Sequence, residues 1–207
     1  MTTLDDKLAG LIGSRICHDL ISPIGAVTNG LELMELAGLP QGPEADLVNQ
    51  SAQSAAARIK YYRLAFGDTG PVDAGHIVRS DEISTILRGV FLSDRIAVHW
   101  HVHKDLSRAE AKAALLTIMC AEAALGAGGR IDVMVEENDF IIDAKGPKLM
   151  LNTAPWDVLH QTANVLPETD ISIAPAAVQF AILPEVLRKM GRALYMSTDG
   201  DVLTMKF

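Results

Sequence analysis

The chain has 207 residues, 49% hydrophobic and 21% charged, with a formal net charge of -8. That is the balance of a soluble globular protein with core material for one large domain or two small ones, and its acidity argues against nucleic acid as a partner. No apolar run reaches the ~18–20 residues of a membrane span, and the acidic start, Met1 to Asp6, lacks the basic n-region of a secretory signal.

Cys17 and Cys120 stand far apart without metal spacing, which excludes a disulfide scaffold and fits a reducing cytoplasm, the expected location. Leu8, Ile12, Ile16, Leu20, Ile24, Val27, Leu31 and Met34 recur every three or four residues and predict one long helix. Gly38-Leu39-Pro40-Gln41-Gly42-Pro43 stops it and starts a second, with Pro43 suited to a first turn. The second helix carries Val48, Ala52, Ala55, Ile59, Tyr62 and Phe66, a bundle-like seam with small residues in its middle. Gly67-Asp68-Thr69-Gly70-Pro71 ends it.

Two helices cannot bury both stripes between them. The expected solution is a homodimer in which two hairpins, residues 1–72, form a four-helix bundle; the alternative is cover by the second domain, residues 73–207. From about Gly75 the pattern turns mixed. Helices are expected at Ser80–Leu92, Ser107–Gly126, Pro155–Ala163 and Ala174–Met190. Strands are expected at Arg95–Val102, at Arg130–Glu136 and Asp139–Ala144 around Glu137-Asn138, and at Ala193–Ser197 and Val202–Phe207. The sum is an α+β protein: a helical hairpin followed by a sandwich with helices on one face of a mixed or antiparallel sheet.

One string on the first helix carries chemistry: Arg15-Ile16-Cys17-His18-Asp19-Leu20-Ile21-Ser22-Pro23-Ile24. His18 falls about 200° from Ile16 and about 160° from Leu20 around the helix, so it points away from the apolar stripe. Arg15, Ser22, Gly25, Asn29 and Glu32 share its side. A neutral imidazole is a good nucleophile toward phosphorus near physiological pH. Asp19 can accept a hydrogen bond from the proton that the other ring nitrogen keeps, which fixes the tautomer. Arg15 can offset phosphate charge and Ser22 can position a water or the phosphoryl group. The small residues Gly25 and Ala26, with Ile21 and Asn29, mark a strip on which a partner helix can pack. Pro23 removes one intrahelical hydrogen bond and invites a bend.

His18-Asp19-Leu20-Ile21-Ser22-Pro23-Ile24 resembles the H-box of bacterial sensor histidine kinases, and residues 76–207 run in the order of a kinase ATP-binding domain. The departures are in the nucleotide boxes. Ile118 and Glu122 stand where magnesium-binding asparagines are needed. Asp143-Ala144-Lys145-Gly146-Pro147 replaces the Asp-x-Gly-x-Gly turn, and Ile171-Ser172-Ile173-Ala174-Pro175 replaces the glycine-rich lid. In this the chain is similar to the ChpT histidine phosphotransferases.

That resemblance implies a degenerate kinase-like second domain and a homodimeric phosphotransferase that uses no ATP. It would take a phosphoryl group on His18 from the receiver domain of a hybrid kinase and pass it to the aspartate of a response regulator, in that family a CtrA-like cell-cycle factor. No cofactor is then expected on this chain, and Mg2+ belongs to the partner's receiver. A divergent ATP-dependent kinase and a non-catalytic pseudo-kinase scaffold stay open as alternatives.

The remaining signals are weaker. His99, His101 and His103 alternate and would share one face of a strand; three imidazoles can ligate zinc, but such a run usually forms the polar face of a sheet, and no metal ligands are assigned. Cys17, Cys120, Trp100 and Trp156 read as packing residues, and His76 and His160 as isolated.

Overall fold

Helix α1, Leu4–Ala37, runs unbroken through Pro23 and stops at Gly38, whose φ of 63° is the left-handed conformation that ends helices. Helix α2, Pro43–Phe66, starts with its proline in the first turn, carries Glu44 and Asp46 there and has Arg63 in its last turn, each charge opposing the helix dipole. The two lie close because Gly30 is buried against α2, where a Cβ would collide with Val48. The computed structural model describes residues 4–38, 42–67, 76–92, 95–151, 154–161 and 174–207, except the side chains of 4–11, 14, 17, 18, 21, 35, 160 and 161.

The rest is a helix-and-sheet layer pair. Helices α3, Ser80–Phe91, α4, Arg108–Ala124, α5, Ala154–Gln161, and α6, Val178–Lys189, accompany strands β2, Ile96–Trp100, β4, Gly129–Glu136, β5, Asp139–Lys145, β6, Tyr195–Asp199, and β7, Val202–Lys206. The sheet order is β2-β4-β5-β7-β6, with β2 parallel to β4 and every other pair antiparallel. The mixed sheet is as expected. An antiparallel pair of two-residue strands, β1, Ile77–Val78, and β3, Leu106–Ser107, was not foreseen, being too short for any period to register.

Helix α4 is the centre of the molecule. Ala111 through Ala121 are all buried, Lys112 and Thr117 among them, so the helix is covered all round rather than along one stripe. Its start is fixed by a capping box: the Ser107 hydroxyl accepts from the Glu110 amide while the Glu110 carboxylate accepts from the Ser107 amide. Burial pushes the Glu110 carboxyl up, but the Ser107 bonds and Lys104 outweigh it and hold it below its usual range.

Helix α2 is tied to this layer. Arg108 donates to the carbonyls of Leu64 and Arg63, each at 2.5 Å, and Lys112 donates to that of Gly67 at 2.7 Å, so two cations close the carbonyl end of α2. Tyr61, Tyr62, Leu64 and Ala65 are buried in the same core as α3 and α4, and a Cβ on Gly89 of α3 would stand 2.7 Å from Ala57. Helices α3 and α4 thus cover the far end of the α2 stripe, while Ile59 is 53% exposed and Ile24 and Leu31 of α1 are each 54% exposed. The expected boundary at 72 and 73 lies outside the described residues, as do the last two residues of the expected Pro155–Ala163 helix and most of the segment replacing the lid.

Trp156 is buried and meets Phe180 edge to face, and Cys120 is buried, as a packing role requires. Trp100 is half-buried and donates its indole N–H to Ser80 Oγ at 2.8 Å, while the Ser80 hydroxyl donates to the Val102 carbonyl. No helix among the described residues is long and apolar enough to cross a membrane.

Candidate functional site

The acid of the His18-Asp19 pair sits in a built environment. Asp19 Oδ2 accepts from Arg15 Nε at 2.6 Å and from the Tyr62 hydroxyl, which reaches it from α2. Helical spacing makes the first contact, since residues four apart share a face. The second depends on the hairpin, which sets the Tyr62 ring in the core with its hydroxyl at the surface of α1. A buried tyrosine needs such a partner. Burial and the Asp19 bond push the Tyr62 hydroxyl well above its usual pKa, so Tyr62 stays a donor.

Arg15 is turned inward. Its Nη1 donates to the Ala176 carbonyl at 2.5 Å, in the short 3-10 turn Pro175–Ala177 that precedes α6, and its side chain keeps only 14% exposure. Burial disfavours its charge, but Asp19 and Tyr62 outweigh burial and raise its pKa. The guanidinium expected to face phosphate therefore joins α1 to the turn before α6 and holds the Asp19 carboxylate in place.

Beside Asp19 a groove of about 400 Å³ runs between the helices. Ser22 and Ala26 line it from α1, and Gln50, Ser54 and Arg58 from α2. Ser22 and Asn29 are exposed, and a Cβ added at Gly25 would meet nothing within 4 Å. Ala26 is half-buried. The side chains of His18 and Ile21 lie outside the described residues; the backbone of His18 is in the middle of α1, one residue before Asp19.

Two residues of this site were missed. The spacing puts Tyr62 in the apolar seam, where it lies, but gives its hydroxyl no partner. Arg58 carried no signal, because which residues of α2 face Ser22 depends on the hairpin.

Residues 80–202, more than half of the chain, match the histidine phosphotransferase C-terminal domain. This chain belongs to the histidine phosphotransferase family. The phosphotransferase is 31% identical over 181 residues, 85% of its length, to protein phosphotransferase ChpT of Brucella abortus (strain 2308), of which the match covers 84%. A bacterial phosphotransferase solved at 1.7 Å superposes on it with a TM-score of 0.76 and 26% identity, covering 100% of this chain and 98% of that one. A histidine kinase from Burkholderia phymatum STM815 matches with a TM-score of only 0.39 and 16% identity over 97% of this chain and 93% of that one, too distant to carry an argument. The expected family is correct. Within the phosphotransferase, Ile118 is fully buried in α4, and Glu122 lies within electrostatic reach of Arg15 and Tyr61.

Proposed function

We propose that His18 carries the phosphoryl group in a phosphorelay. It receives the group from the receiver domain of a hybrid histidine kinase and hands it to the aspartate of a response regulator, a CtrA-like cell-cycle factor by resemblance. In the first step a ring nitrogen of neutral His18 attacks phosphorus, a P–N bond forms, and the P–O bond to the receiver's aspartate breaks, releasing its carboxylate. The second step is the reverse on another receiver. Such a transfer rests on positioning and charge neutralisation, with Mg2+ supplied in the receiver's acidic pocket. Asp19 accepts a hydrogen bond from the second ring nitrogen, which keeps its proton, and Ser22 and Arg58 face the phosphoryl oxygens from the groove. Ile21, Gly25, Ala26 and Asn29 receive the partner.

The observation that carries this reading is the Asp19 carboxylate, next in sequence to His18 and held by Arg15 and Tyr62 at the head of an open groove. A kinase reading is not favoured, since a buried Ile118 offers magnesium no ligand. The test is incubation with phosphorylated receiver domains. Wild type is expected to gain an acid-labile label and His18→Gln none; a labelled His18→Gln chain refutes the assignment.

The same reading includes a homodimer. Ile24 and Leu31, seven residues apart on α1, leave an apolar edge beside the α1–α2 seam, and Ile59 of α2 is 53% exposed. A second hairpin packed there forms the four-helix bundle.

A further inference from the structure

We propose that His99, His101 and Asp132 form a binding site for a divalent transition-metal ion of the zinc type on the open face of the sheet. His99 lies on β2 and His101 one residue past its end, where the His101 amide still donates to the Val133 carbonyl at 2.8 Å, so the extended period puts both rings on one side, 49% and 54% exposed. The parallel neighbour β4 sets Asp132 directly opposite His99. The result is convergence on one atom: His99 Nδ1 lies 3.2 Å and His101 Nε2 3.3 Å from Asp132 Oδ1. All three candidate ligand atoms fall within 4.8 Å of one another.

Those separations suit a metal. Tetrahedral zinc with bonds of about 2.0–2.2 Å to nitrogen and carboxylate oxygen sets its ligand atoms about 3.4 Å apart. Both nitrogen–oxygen edges are already near that length. Only the nitrogen–nitrogen edge has to close, by rotation of exposed rings.

The carboxylate is also held from behind. Arg130 Nε binds Asp132 Oδ2 at 2.6 Å, which leaves Oδ1 turned to the imidazoles, the support that metal-binding carboxylates usually receive. The cost is a cation near a dication. Asp143, opposite Asp132 in the next strand and bonded to Thr204 at 2.6 Å, adds a negative charge on the same face. Two imidazoles and one carboxylate suit zinc, nickel or copper; magnesium and calcium require oxygen ligands. A fourth position would open to solvent. Sequence alternation alone lacked the decisive ligand, because Asp132 comes from another strand.

The experiment is calorimetric titration of the full chain with zinc chloride in excess Mg2+. The expected result is a saturable zinc event that disappears in the double variant His99→Ala/His101→Ala, weakens about tenfold or more in Asp132→Asn, and persists in His103→Ala. The histidines are exposed, so the metal-free double variant should melt as wild type does, and zinc should raise the Tm of wild type but not that of the double variant. Zinc heat unchanged in the double variant, no zinc heat in wild type, or competition by Mg2+ each overturns the site.

Discussion

At the scale of single residues, Asp19 and Tyr62 show how one contact joins local and tertiary information. Arg15 meets Asp19 through helix periodicity alone, whereas Tyr62 meets it only because α2 folds back on α1. Tyr62→Phe removes a hydrogen bond to a charged group and should cost about 1.5–3 kcal/mol in urea unfolding. The proton of Tyr62 is retained in the folded state above pH 10.0, its ordinary pKa, where the unfolded chain releases it. This contribution is therefore complete below that pH and declines above it, so wild type and Tyr62→Phe should converge in stability as alkalinity rises. A gap that holds constant would deny the bond its role.

The capping box of α4 has the opposite sign. Glu110 is held below its ordinary pKa of 4.5, so the stability it adds is present above that value and lost as pH falls through the folded-state value. Thermal melts should show Glu110→Gln less stable than wild type at neutral pH and the difference shrinking in acid.

Among elements, α1 separates two kinds of glycine. Gly30 is where α2 approaches, so any Cβ there meets Val48, while Gly25 faces open space on the same helix. Gly25→Ala should stabilise the helix by up to about 1 kcal/mol. Gly25→Trp should leave the fold intact and impair transfer from a phosphorylated receiver, since the indole would stand only in a partner's way. Normal transfer by Gly25→Trp would place docking elsewhere. Sequence could find both glycines but not distinguish them, because the distinction is which side α2 occupies.

For the whole molecule, the question is what covers the hairpin. The sequence posed dimerisation and cover by the second domain as alternatives, and within one chain the second takes only part of the seam. Tyr61, Tyr62, Leu64 and Ala65 are buried, with Arg108 and Lys112 closing the end of α2, but Ile24, Leu31 and Ile59 are not. If the proposed homodimer covers these, Ile24→Glu/Leu31→Glu should halve the mass seen by light scattering while the circular dichroism of the monomer stays helical. An unchanged mass, or a wild-type monomer, rejects the bundle.

The sequence by itself determined the helices, most strands, the α+β class and the string around His18, because period, turn residues and a local motif are all properties of neighbours along the chain. It also supplied the resemblance that the family match bears out. Only the tertiary structure decided that Arg15 turns to Ala176, that Tyr62 holds Asp19, that Arg58 lines the groove, and that Asp132 joins two histidines. Each of these contacts joins separate elements, and no periodicity within one element encodes which residue of another will stand opposite it.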